Sequence, residues 1–215
     1  MLNQQVAALR KDYRLAALDE SEVEQHPVKQ FEKWWEEAIN GQLDEPNAMT
    51  LATSTPEGRP SARIVLLKSF DTDGFIFFTN YESRKGVEMA ANPQVSLLFF
   101  WRELERQVRI DGIVSKTDAA ISDEYYRTRP LGSRIGAIAS PQSRVIPHRS
   151  FLEEQVNIIA AKYVLEEPAR PQHWGGYIVK PTLVEFWQGR SNRLHDRVQY
   201  TLVEGGAWQI DRLAP

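Results

Sequence analysis

The sequence predicts a mainly β, α+β fold: an antiparallel sheet or barrel with helices packed outside it. Three observations predict it. Short β-rich runs follow one another through tight turn signals, as hairpins do. The helical stretches enter this series as insertions rather than as regular crossovers between strands. None of the 12 glycines builds the GxGxxG or Walker loops of doubly wound parallel sheets.

The elements follow in chain order. VAALRKDYRLAAL, residues 6–18, is amphipathic and reads as a helix, and ESEVEQHP as a polar connection. PVKQFEKWWEEAING begins on Pro27 and ends at Gly41, the asymmetry of a capped helix. Beyond Pro46 the pattern changes. NAMTLATST, SARIVLLKSF and FIFFTN make a meander of strands turning at PEGRP and DTDG. SRKGVEMAANP inserts a short helix that Ser83 is placed to cap. QVSLLFFW and ERQVRIDGIVSK return to strand. Two further helices, TDAAISDEYYRTRP and RSFLEEQVNIIAAKY, are separated by the Gly/Ser-containing segment LGSRIGAIASPQSR. The strands WGGYIVKPTLVEFWQG, RLHDRVQYTLV and AWQIDRL close the chain, the last two joined at Gly205-Gly206 as a hairpin. One domain over 1–215 is expected, with a helical segment at 1–45, barrel strands at 46–116, a helical insertion at 117–170 and closing strands at 171–215.

Composition excludes several functions. A net charge of −3 argues against a nucleic-acid binder that works through a broad basic surface. With no cysteine there is no disulfide, no thiolate metal site and no cysteine nucleophile. His26, His148, His173 and His195 are scattered without HExxH spacing, so no metal is expected. No run of about 18 apolar residues is present, and MLNQQVAALRKDY lacks the apolar core of a secretory signal. A cytoplasmic protein is the expectation.

Against this acidic background the cations cluster beside apolar strands. In EFWQGRSNRLHDR, residues 185–197, an extended chain would project Arg193, His195 and Arg197 from one face, a set more easily tolerated around an anion. Arg63 and Lys68 bracket the apolar run RIVLLK, either as a ligand-lining pair or as snorkelling strand ends. Arg84 and Lys85 fall in the first turn of a helix, where the macrodipole disfavours cations. They are a solvated basic turn, or they meet a phosphate that also collects backbone N–H groups. Tyr125 and Arg129, at i and i+4, with Ser133 beyond Pro130, make a second phosphate clamp or a surface packing pair. The residues alone stop there.

The ordered motifs go further. VEFWQGRSNRLHDR, preceded by RIVLLK, TNYESRKG, NPQVSLLFFW and LERQV, resembles the pyridoxamine (pyridoxine) 5′-phosphate oxidase family over nearly the whole length. The resemblance implies an FMN-binding split β-barrel and a homodimer with FMN at the subunit interface. It implies flavin contacts from Arg63, Ile64, Val65, Leu66, Leu67 and Lys68, with Phe78 and Thr79 on the next strand. Arg84 and Lys85 would meet the FMN phosphate. Gln107, Gln142, Ser143, Trp187 and Arg197 would complete the flavin site, some reaching across from the partner chain. Lys68, Tyr125, Arg129 and Ser133 would hold the substrate phosphate, and Arg193 and His195 would lie over the pyridine ring. The implied activity is oxidation of pyridoxamine or pyridoxine 5′-phosphate by O₂ to pyridoxal 5′-phosphate and hydrogen peroxide. A related flavin reductase, or a carrier of pyridoxal phosphate, stands as the rival reading.

Overall fold

The computed structural model describes residues 12–215. Among these, nine strands form one sheet. They are β1 (Ala48–Ser54), β2 (Pro60–Leu66), β3 (Ser69–Asp71), β4 (Gly74–Asn80), β5 (Gln94–Trp101), β6 (Arg106–Lys116), β7 (Trp174–Gln188), β8 (Asp196–Leu202) and β9 (Trp208–Arg212). Their order is β2-β1-β5-β6-β7-β4-β3, with β8 paired to β7 and β9 to β8. The β3–β4, β4–β7, β7–β8 and β8–β9 pairings are antiparallel. The helices are α1 (Pro27–Asn40), α2 (Arg84–Ala91), α3 (Ala119–Thr128), α4 (Leu131–Ala139) and α5 (Arg149–Lys162). The antiparallel sheet with inserted helices is the expected class.

The chain folds as two compact units. The first holds the described residues up to Met49, with Leu97–Asp111 and Pro181–Pro215. Its core forms because α1 turns Phe31, Trp34 and Ala38 inward together, at helical spacing. Phe31 packs 5.1 Å from Phe99 and 5.8 Å from Trp101, and Trp34 meets Phe186 edge-on at 5.2 Å. Pro27 opens α1, where the missing N–H costs nothing, and the His26 side chain accepts from Val28 N. Gly41 follows its end, yet the left-handed residue is Gln42 at φ 53.

The helix expected over 6–18 is not found in its described part, because residues 12–18 are irregular. Their backbone donors are taken elsewhere. The Arg14 and Leu15 amides donate to one Glu105 oxygen at 2.9 and 3.1 Å, and the Leu18 amide donates to Asp196. The rest of that segment lies outside the described residues. Gly205 and Gly206, at φ 87 and 82, make the β8–β9 hairpin turn as the sequence predicts.

The second unit holds Thr50–Ser96 and Gly112–Lys180. Here β4 is buried on both faces, with Phe75 and Phe77 at 0% exposure. β4 pairs with the start of β7 so that Phe78 faces Gly176 and Thr79 faces Gly175. Both glycines are required by close approach. A methyl group on Gly176 would lie 2.5 Å from Thr117 Oγ1 and 2.9 Å from the Phe78 ring, and one on Gly175 would collide with the Tyr81 hydroxyl. The segment expected to separate two helices is itself largely helix α4. Pro130 starts it, accepting from the Ser133 and Arg134 amides, and buried Ile135 anchors it. Gly132 and Gly136 read as breakers, but nothing crowds them and the helix carries them.

Candidate active site

Two adjoining cavities lie in the second unit. The smaller, about 410 Å³, is lined by Arg63 and Ile64 of β2, Arg84 and Lys85 of α2, and Gln142 and Ser143 of the loop after α4. Ser83 caps α2 by accepting from the Gly86 amide at 3.3 Å, so the helix presents its positive end beside these cations. Lys85 Nζ donates to Ser83 Oγ and to Gln142 Oε1, both at 3.1 Å. Burial first, and Arg63 second, bring the Lys85 ammonium down to about 8. Ser143 sits in the left-handed region at φ 72.

Behind the arginines lies a carboxylate that sequence reasoning missed. Glu88 accepts from Arg84 Nε at 2.8 Å, Ser61 Oγ at 2.6 Å, Thr53 Oγ1, and Arg63 Nη2 at 3.3 Å. Burial pushes this carboxyl up, but the hydrogen bonds from Ser61, Thr53 and Arg84 outweigh it and hold it at about 2. The signal was present as an acid at i+4 from Arg84, a spacing that ordinarily marks a solvated surface pair.

The larger cavity, about 790 Å³, shares Ile64, Lys85 and Gln142 with the smaller. Val65, Leu66, Lys68, Phe78, Thr79, Tyr125, Arg129 and Ser133 also line it. Leu67 points the other way into the core, at 4% exposure. One wall is a stack of near-parallel rings: Phe78 on Tyr125 at 4.0 Å and on Trp174 at 5.6 Å. The Arg129 guanidinium lies 4.6 Å from the Trp174 ring centre, and Lys68 Nζ lies 6.0 Å from that of Tyr125. Arg129 Nη1 is buried with no hydrogen-bond partner among the described residues. A buried cationic donor left unsatisfied points to an anionic acceptor in the cavity.

The remaining candidates belong to the first unit. Trp187 and Arg197 are direct cross-strand partners on β7 and β8, so they share a face. Arg197 Nε donates to Glu185 Oε1 at 2.7 Å, and Arg109 holds the other Glu185 oxygen at 2.8 Å. Gln107 lies on β6, half-buried. His195 packs 4.5 Å from Trp187, and its Nδ1 accepts from the Arg190 amide at 3.0 Å. Burial, with Arg193 beside it, lowers the His195 pKa against a smaller upward pull from Asp196. The single extended face expected for Arg193, His195 and Arg197 is not found. Ser191–Arg193 forms a 3₁₀ turn with Asn192 and Arg193 at positive φ, and β8 begins only at Asp196. Alternation therefore applies to Arg197 and not to the other two. Among the described residues no cluster of His, Asp and Glu is arranged to hold a metal, and no helix is long and apolar enough to cross a membrane.

Residues 35–162 match the family model described as pyridoxamine 5′-phosphate oxidase. Residues 174–215 match that of the pyridoxine 5′-phosphate oxidase C-terminal dimerisation region. The chain belongs to the pyridoxamine 5′-phosphate oxidase family. It is 56% identical over 214 residues to a pyridoxine/pyridoxamine 5′-phosphate oxidase of Trichormus variabilis, covering all of both chains. It is 58% identical over 210 residues to that of Paraburkholderia phymatum, covering 98% of this chain and 99% of the other. Among solved structures, PhzG of Burkholderia lata, in complex with tetrahydrophenazine-1-carboxylic acid, superposes with a TM-score of 0.87 at 30% identity. That match covers 94% of this chain and 99% of the other. An FMN-binding, pyridoxamine 5′-phosphate oxidase-related protein of Nostoc punctiforme has the same fold, with a TM-score of 0.71 at 16% identity, over 90% of this chain and all of the other. As a pyridoxamine 5′-phosphate oxidase family member, the chain is an oxidoreductase with the split β-barrel fold.

Proposed function

We propose that the chain oxidises pyridoxamine 5′-phosphate or pyridoxine 5′-phosphate with O₂, releasing pyridoxal 5′-phosphate and hydrogen peroxide, in vitamin B6 salvage. The amine substrate also consumes water and releases ammonia. The observation that carries this reading is the pair of adjoining cation-lined cavities. One ends at a capped helix N-terminus, and the other holds the buried, unpartnered Arg129 Nη1. Two phosphorylated ring systems side by side satisfy both, and the volumes suit ligands of that size.

The residues present fit FMN. Arg84, Lys85, Arg63 and the α2 amides receive its phosphate, helped by Gln142 and Ser143. The β2 segment 64–68, with Phe78 and Thr79, flanks the flavin. Gln107, Trp187 and Arg197 are assigned to the flavin by family resemblance, in a homodimer through the C-terminal region. FMN, when bound, would supply the two-electron redox chemistry that links oxidation of the substrate to O₂.

The chain's own residues bind and orient. Lys68, Tyr125, Arg129 and Ser133 clamp the substrate phosphate, using remote binding energy to fix the position of C4′. Arg193 and His195 hold the pyridine ring. The test is direct. The purified protein is yellow, its flavin bleaches when pyridoxine 5′-phosphate is added without oxygen, and air restores the colour with aldehyde and peroxide formed in equal amounts. Absence of anaerobic bleaching would sink the assignment.

A further inference from the structure

One of the buried charges that the mechanism does not use stands beside the smaller cavity. Glu88, 6% exposed, sits on α2 one turn beyond Arg84. A carboxylate beside an anion site weakens it unless it does something for the cations. Four donors converge on its two oxygens: Arg84 on Oε1, and Ser61, Thr53 and Arg63 on Oε2. Arg63 is gripped further by Leu51 O at 3.1 Å and Thr53 Oγ1 at 2.6 Å. A guanidinium donates through a rigid planar fork, so fixing some of its N–H groups aims the rest.

We propose that Glu88 is a positioning residue for the phosphate of bound FMN. It holds Arg63 and Arg84 at the cavity wall, and it trims three cations to a net charge that complements a phosphate dianion. This rests on reading the smaller cavity as the FMN phosphate site.

Two effects oppose one another when the carboxylate is removed. The site gains a positive charge, which favours an anion, and it loses the anchor of its arginines. Loss of the anchor dominates. An amide offers one acceptor oxygen where Glu88 uses two, so either Arg84 or the Ser61–Thr53–Arg63 group loses its partner. The Arg84 side chain is already 59% exposed. Once released it is solvated, and a screened charge contributes little compared with a directed charge-assisted hydrogen bond.

The test titrates the full chain, stripped of flavin, with FMN and with riboflavin, which lacks the phosphate, following flavin fluorescence. In Glu88→Gln, FMN affinity falls about tenfold or more, while riboflavin affinity stays within about twofold. Glu88→Asp, which keeps the charge, returns the FMN-to-riboflavin ratio to within about threefold of the unsubstituted protein. Equal losses for both flavins, or an unchanged ratio, overturn the proposal. If Glu88→Gln does not fold, Ser61→Ala carries the test: an FMN-selective loss of about two- to fivefold supports it and none overturns it. An unsubstituted protein that binds both flavins equally overturns the reading of the cavity, and the proposal with it.

Discussion

The two cavities of the second unit treat positive charge differently. At the start of α2, three cations are backed by a buried carboxylate; Arg63 is also held by Ser61 and Thr53, and Lys85 by Ser83 and Gln142. Between α3 and α4, no acidic residue among the described ones lines the cavity with Lys68 and Arg129, and one Arg129 nitrogen has no partner among them. The first arrangement is pre-organised and costs little when empty. The second leaves a desolvated donor unsatisfied until an anion arrives, so a larger share of its binding energy depends on the ligand. A resident cofactor suits the first and an exchanging substrate suits the second.

Removing the guanidinium that carries the unsatisfied Nη1 should have the largest effect. Arg129→Ala is expected to lower kcat/KM for either B6 phosphate by about 100- to 1000-fold while the flavin spectrum is retained, as steady-state peroxide formation would show. If flavin were lost as well, the two cavities would not be separate in function. Replacing Arg84 and Lys85 together by alanine should do the reverse. FMN affinity falls about 100-fold, and turnover returns when FMN is supplied in excess. Gly176→Ala acts on the aromatic wall and on Thr117 beside it. The new methyl displaces Thr117 and the Phe78 ring, and with it Tyr125, raising KM about tenfold and weakening FMN less than the Arg84–Lys85 double change does, because Phe78 also flanks the flavin.

pH sharpens the contrast with the smallest changes. Lys85 is held near 8, so FMN affinity declines as pH rises beyond about 8 and the ammonium is lost. The flavin-free fold responds with the opposite sign. A lysine depressed below its usual 10.5 is easier to bury neutral, so its contribution to stability improves between those values. Glu88 has a folded value of about 2 against an ordinary 4.5. Its contribution, on the order of 3 kcal/mol, is complete above pH 4.5 and is lost as pH falls toward 2. Thermal melts of the flavin-free protein across pH would show both limbs.

Much of the barrel was legible because strands of period two, bounded by Gly/Pro turns, leave a local signature. So was the cap at Ser83, and with it the odd placement of Arg84 and Lys85 that the smaller cavity makes sensible. Features set by distant partners were not legible. Residues 12–18 have helical periodicity, but Glu105 and Asp196 take their amides. α4 was masked by two glycines that tertiary packing tolerates. Glu88 looked like a surface acid, because only the fold brings Thr53 and Ser61 over it. Arg193 and His195 were placed on one face with Arg197 because nothing local announced two consecutive left-handed residues.

That same turn decides the chemistry open to His195. Its Nδ1 is occupied as the acceptor of the Arg190 amide. The neutral ring therefore carries its proton on Nε2, a tautomer set by the backbone. With burial and Arg193 disfavouring the imidazolium, the ring offers an N–H rather than a lone pair. His195 is thus equipped to donate a hydrogen bond to an oxygen of the substrate proposed for it, and poorly equipped to take a proton from one.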